Sequence, residues 1–416
     1  MSSRFLQVHF LTSYPAALLN RDDAGFAKRM PFGGVVRTRI SSQCQKRHWR
    51  LFEGEGSLRS LEVPGSVRSR HTFEMEIAQP LVKSGLDEAR VRAVVQAIAD
   101  EVLGKSDKKR SEDDGGKKAK GKKANDTDTP AAASPAAAMH HMTAQLTVLG
   151  RPEIEFLKKI AGSIAAEIGA PAEAADAVER KLDKAAQKNL KTMVLGAGLD
   201  AALFGRMVTS DMLARGDAAL HVAHAFTVHA EATESDYFTA VDDLKPEGED
   251  TQGSAHINSS ELTSGLYYGY VVVDVPLLVS NLTGCERKAW EGADRVLAAQ
   301  VADRVVRMVA TVSPGAKLGS TAPYATAHAL LVEAGNSQPR TLANAFLRPV
   351  SDRGDLLANT YDALAAYLAE SDEMYGRTTE RRLAAMHPSE GLVKATHNKA
   401  PLADVASWAA AAVQGA

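Results

Sequence analysis

The stretch Ser-Gly-Leu-Tyr-Tyr-Gly-Tyr-Val-Val-Val-Asp-Val at residues 264–275 constrains the fold more than any other. It is rich in aromatic and β-branched residues and reads as a strand. Alternation along that strand puts Tyr267 and Tyr268 on opposite faces. A second strand is expected at 4–12, Arg-Phe-Leu-Gln-Val-His-Phe-Leu-Thr. Residues 13–36 hold Pro15, Asn20 to Asp23, Pro31 and Gly33-Gly34, and read as a loop. Arg37 to Ile40 is expected as a short strand, followed by a helix that Ser41 or Ser42 caps and that runs to about Phe52.

Helical periodicity takes over elsewhere. Val91, Val94, Val95, Ile98 and Val102 share one side of a helix predicted at 87–103. Two helices are expected within 151–199, the second aligning Val178, Leu182, Ala186, Leu190, Met193, Val194 and Ala197. Further helices are expected at 291–312 and 355–369. No repeat of 20–50 residues is present, which excludes the common solenoids. Strand, helix, helical insert, strand and later helices in that order imply an α+β fold.

The chain has 416 residues, enough for a sizeable core. Its two cysteines, Cys44 and Cys285, make neither a disulfide framework nor a CxxC metal pair. They favour a reducing compartment, and the expected location is cytoplasmic. No apolar run long enough to span a bilayer occurs, so no membrane partner is expected. Residues 105–138 are Lys-rich and then rich in Gly, Asp, Thr, Pro and Ala. Such a segment buries too little apolar area to offset its ordering entropy, and it is read as a disordered insertion in a loop.

Formal net charge is −2, yet the charge is uneven. Residues 1–60 carry ten Lys/Arg against four acids. That asymmetry points to an anionic partner for the N-terminal part. No acid lies between Asp23 and Glu53. On a helix at 41–52, Gln43, Lys46, Arg47 and Arg50 fall at i, i+3, i+4 and i+7. Cys44, His48 and Leu51 fall on the other side, the one expected to pack. Arg37 and Arg39 project from the same side of their strand. Free backbone N–H groups at the serine-capped helix start suit a phosphate oxygen. Together these residues form a candidate anion cradle.

The segment Arg39-Ile-Ser-Ser-Gln-Cys-Gln-Lys-Arg-His-Trp-Arg50 resembles the Arg-Ile-Ser-Ser-Gln and Lys-Arg motif of the type I-E CRISPR Cascade backbone subunits, the CasC family. Leu19-Asn-Arg-Asp-Asp23, Phe32-Gly-Gly34, Gly205-Arg-Met-Val-Thr-Ser210, Tyr237-Phe-Thr-Ala-Val-Asp-Asp243, Gly253-Ser-Ala-His256 and Pro314-Gly-Ala-Lys317 resemble it too, in the same order. The resemblance implies a modified RRM-like (ferredoxin-like) palm at 1–60 and 200–416, with a protruding thumb hairpin at about 228–262. It implies a helical finger region at 61–199. It implies that several copies stack head to tail along a crRNA, beside target DNA and other Cascade subunits, without catalysis, metal or cofactor. The resemblance implies RNA-backbone contacts at Arg21, Lys28, Gln43, Lys46 and Arg50, with Met207, Tyr237, Phe238 and Thr239 packed against bases; Arg37, Arg39, Ser41 and Arg47 of the cradle, and Arg206 and Lys317 within the motifs, complete the candidate RNA-binding set. Tyr237 stands where the family has a tryptophan, and a tyrosine still stacks on a base.

Two other classes compete. Asp22-Asp23 and Asp242-Asp243 raise the idea of a metal-dependent ribonuclease like a type III backbone subunit. A free-standing RNA-binding regulator shares the basic cradle but not the stacking. His221, His224 and His229 have a ligand-like spacing, although Ala, Val and Phe surround them and a packed or interface role fits better. There is no GxxxxGK[ST] loop, HExxH or GxSxG.

Overall fold

A computed structural model describes residues 3–103, 143, 146–193, 195–206, 213, 216–240, 256–316 and 318–415, with side chains left undescribed at 238–240 and 256–258. The insertion expected at 105–138 lies outside these residues, as does nearly all of the polar segment 242–256. The chain divides into two compact units. One comprises Met1–Leu61, Leu220–Val279 and Arg287–Ala416; the other comprises Glu62–Ala219 and Ser280–Glu286. Residues 200–206, grouped with the palm on sequence, fall in the second unit.

The described strands are β1 (Phe5–Ala17), β2 (Arg29–Phe32), β3 (Val35–Ile40), β4 (Ser66–Ser69), β5 (Thr147–Gly150), β6 (Leu220–Val222), β7 (Ala225–Thr227), β8 (Thr233–Ala240), β9 (His256–Asp274), β10 (Ala329–Gly335) and β11 (Thr379–Ala385). Nine of them form one sheet in the first unit, ordered β11-β10-β1-β9-β7-β3-β2, with β6 and β8 also paired to β9. Every ladder in it is antiparallel. β9 contains the Tyr267-Tyr268 stretch and is the spine of the sheet. It pairs β1 along one edge and β6, β7 and β8 in turn along the other.

Both faces of that spine are covered. Tyr268 packs with Leu11, Phe226, Phe346, Tyr361 and Leu364, where the Leu356–Tyr375 helix lies. On the opposite face Tyr267 meets Tyr14 edge-on, with ring centroids 5.8 Å apart. Phe10, Trp49 and Val309 line the same small hollow as Tyr267, so α1 (Ser42–Leu51) and the Val296–Thr311 helix share this side. Asp355 caps the Leu356–Tyr375 helix by accepting from Leu357 N and Ala358 N.

Residues 29–40 correct the loop expected at 13–36. β2 and β3 form a hairpin in which Phe32 faces Val35, leaving Gly33 and Gly34 as a two-residue turn. Both glycines have positive φ, +64° and +81°, the requirement of a type I′ turn. A Cβ on Gly33 would also run into the Leu347 carbonyl. β1 likewise runs five residues past its expected end.

The second unit is mostly helical. Val91, Val94, Val95, Ile98 and Val102 are fully buried on the Glu88–Leu103 helix, as periodicity required. They meet Ile154, Leu157, Ala161 and Ile164 of the Arg151–Glu167 helix. The long second helix expected after it is broken. It becomes Ala174–Lys181 and Lys184–Thr192, because Asp183 caps a new start by accepting from Ala186 N. No described helix is long and apolar enough to cross a membrane.

Candidate nucleic-acid interface

Lys28, Arg39 and the basic residues of α1 lie where β2, β3 and α1 meet. Asn20 ties the preceding loop to this junction: its carbonyl accepts from Lys28 N at 2.9 Å and its Oδ1 from Ser41 N at 2.9 Å. Asp22 folds the loop tip, its Oδ1 accepting from Ala24 N and Phe26 N at 3.0 Å each. Arg21 is exposed and its backbone is bridged to Ala27. Lys28 and Arg47 both act electrostatically on the Cys44 thiol, which burial nevertheless pushes up to about 11. Lys28 and Arg39 both act on His224. The loop cation, the strand cation and the helix cation therefore share one neighbourhood.

On α1 the buried positions are Gln45 and Trp49. Gln45 Nε2 donates to Ala223 O at 3.0 Å, anchoring the helix to the strand link behind it. Gln43 and Arg47 are exposed, and Lys46 and Arg50 partly so. The packed side is thus one position away from the one expected. Leu51, assigned to it on the wheel, is 39% exposed, whereas Cys44 and His48 only flank it. Ser41 is the cap: its Oγ accepts from Cys44 N and its side chain is buried, so it is not an open contact.

Two arginines predicted as contacts are structural. Arg37 is fully buried. Its guanidinium donates to the carbonyls of Phe32, Thr227 and Phe346 at 3.2, 2.9 and 2.9 Å. Burial pulls its pKa down from the ordinary arginine value. In the second unit Arg206 is 4% exposed and donates to Glu153 at 2.5 Å, both side chains being almost wholly buried. Neither has a guanidinium free to meet a phosphate. Arg39, in contrast, is partly exposed and bonded to Arg29 O and to His224.

β8 and β9 form a hairpin paired from Thr233↔Thr263 to Ala240↔His256. Tyr237 lies on it opposite Ser259 and is 63% exposed. Phe238 and Thr239 belong to the same strand, but their side chains are outside the described set. Met207 and Lys317 lie outside the described residues. The hairpin base carries Glu231 and Glu261, which both bind Arg29. Arg29 is thereby neutralised, while its carbonyl still supports Arg39.

The histidines do not sit together on a helix. His221 is in β6, His224 in the link to β7, and His229 beyond β7 with its ring bonded to Ala230 O and Leu266 N. Among the described residues no group of three His, Cys, Asp or Glu side chains is placed to hold a metal. Sequence reasoning missed the Glu231–Arg29–Glu261 clamp and the role of His224, since both need the hairpin to be folded.

A family model described as CT1975-like protein matches residues 6–408. No curated protein matches the chain. A solved chain titled "CRISPR RNA-guided surveillance complex, pre-nicking" is 26% identical and superposes with a TM-score of 0.75, covering 98% of this chain and all of its own. A second, titled "CRISPR RNA-guided surveillance complex", shares the fold at 22% identity and a TM-score of 0.63, covering 97% of this chain and 99% of that one. Matched by its model over nearly its whole length, the chain belongs to the CT1975-like protein family.

Proposed function

We propose that this chain is a non-catalytic backbone subunit of a type I-E Cascade surveillance complex, several copies of which coat a crRNA head to tail and present its bases to target DNA. The observation that carries the reading is the end-to-end match to a chain of a CRISPR RNA-guided surveillance complex. With the family model it supports a Cascade-type CRISPR protein. The cradle of Arg21, Lys28, Arg39, Gln43, Lys46, Arg47 and Arg50 supplies the physical means. A guide binder must grip phosphate and sugar, because the bases are needed for pairing. Exposed Tyr237 on the β8–β9 hairpin suits sequence-tolerant stacking. The order β10-β1-β9-β7, with α1 and the Val296–Thr311 helix on one face, supports an RRM-like palm.

The test is to mix purified protein with single-stranded RNAs of graded length and varied sequence, and to weigh the products by light scattering. Mass is expected to rise in subunit steps with RNA length and to ignore sequence. A particle of one size at every RNA length would instead mark a regulator. Regularly spaced RNA cuts on adding Mg2+ would mark a ribonuclease.

A further inference from the structure

One histidine stands among the cations of the cradle. His224 lies in the two-residue link between β6 and β7. That link is fixed from two sides: Ala223 N donates to Tyr270 O, and Ala223 O accepts from Gln45 of α1. His224 Nδ1 is 2.9 Å from Arg39 Nη1. A guanidinium only donates, so the imidazole accepts here and carries its proton on Nε2. Among the described residues, the charged groups that act on it are Arg39 from β3 and Lys28 from the segment leading into β2. The nearby Arg29 is held by Glu231 and Glu261. His224 is exposed; its partial desolvation first, then Arg39 and Lys28, keep it below the ordinary histidine range.

We propose that His224 is the proton-accepting member of the cradle: neutral, it holds Arg39 in place, and when an RNA phosphate settles on Arg39 and Lys28 it takes a proton, so that RNA binding and proton uptake are linked. The proposal rests on the RNA-binding reading above. A phosphate cancels the two charges that help to hold the ring neutral. The imidazolium then has two N–H donors and no acceptor, and Arg39 turns from the ring to the phosphate. The proton comes from solvent. The complex binds more protons than the free protein, so affinity rises as pH falls.

The experiment measures affinity for one single-stranded RNA at constant salt between about pH 6 and pH 8, where histidine titrates. Wild type and His224→Gln are compared, with calorimetry in two buffers of different ionisation heat to count protons. Wild-type affinity is expected to tighten several-fold per pH unit toward acid, up to about tenfold for one full proton per subunit. His224→Gln keeps an acceptor for Arg39 but has no ring to titrate. Its pH dependence and proton uptake are expected to vanish. A flat wild-type profile, or an unchanged slope in His224→Gln, overturns the proposal while leaving the RNA-binding reading intact. A wild-type protein that binds no RNA at any pH removes both.

Discussion

Glu333→Ala is expected to destabilise the protein by about 3–5 kcal/mol, the usual cost of leaving a buried charge without its partner. Glu333 is fully buried in β10. Its Oε1 accepts from Arg381 Nε at 2.7 Å, Thr379 Oγ1 at 2.9 Å and Arg340 Nη2 at 3.2 Å. Its Oε2 accepts from Arg340 Nη1 at 2.9 Å and His9 Nε2 at 3.1 Å. The register makes this possible, for Glu333 stands directly opposite Gln7 of β1 and Arg381 of β11. Arg381 is itself fully buried and continues to Asp372 with two bonds of 2.6 Å. Alanine would leave buried Arg381 with only part of its carboxylate support, Asp372, and would take the Glu333 carboxylate from partly exposed Arg340. Against a typical total stability of about 5–15 kcal/mol, that is a large share. Denaturant midpoints of wild type and variant measure it, and a loss below about 1 kcal/mol would contradict the account.

The same cluster sets an acid limit. Because Nε2 of His9 donates to Glu333, its Nδ1 accepts from the Tyr268 hydroxyl at 2.9 Å. Burial holds His9 below the ordinary histidine range, assisted by Arg340 and Arg381. Burial alone would raise the Glu333 carboxyl, yet the hydrogen bond from His9 and the two arginines hold it well below the carboxylate range. Both folded values are depressed, so both contributions are present at high pH and are lost on acidification. As pH falls below about 6.5 the unfolded chain gains a proton at His9 that the folded protein refuses. Below about 4.3 the unfolded chain gains another at Glu333. Stability should fall by up to about 1.4 kcal/mol per pH unit for each group. His9→Gln keeps a donor for Glu333 and should flatten the first of these slopes by about one proton.

Local pattern made much of this fold legible, and long-range pairing hid the rest. The β9 stretch and the helices at Glu88–Leu103, Val296–Thr311 and Leu356–Tyr375 follow from periodicity, because one side of each is dictated by burial. The β2–β3 hairpin was also signalled locally, by Gly33-Gly34 between two strand-forming runs, but Pro31 and the polar residues before it read as loop. Alternation correctly put Arg37 and Arg39 on one side of β3 without saying what covers that side. Arg37 is covered by backbone from Thr227 and Phe346, 190 and 309 residues away, and Arg39 is not. The His9–Glu333–Arg381 cluster has the same character, since His9 and Glu333 are 324 residues apart and Arg381 comes from a third strand 48 residues further on. Tyr267 and Tyr268 were placed on opposite faces from sequence, whereas the helices that cover each face belong to segments with no local signal for that choice.

If the proposed coat forms, Lys46→Ala and Arg50→Ala are each expected to weaken RNA binding about tenfold or more, equally for every guide sequence, since each would remove a charge-assisted bond to backbone phosphate. The logarithmic salt slope should shrink by about 0.7 for each phosphate of a single strand that is no longer neutralised. In a coated RNA the loss recurs at every subunit, so the double variant should fail to assemble at salt where wild type coats fully. Arg37→Ala is the discriminating partner. It takes an equal charge from the same strand–helix junction, but from a guanidinium spent on three carbonyls. It should lower the melting temperature by leaving those carbonyls unsatisfied, and leave the salt slope as in wild type. If charge alone drew RNA to this part of the chain, the three variants would change the slope alike. If the α1 face is the grip, Lys46 and Arg50 change it and Arg37 does not. Filter binding across a salt series, with a thermal melt of each variant, separates the two outcomes.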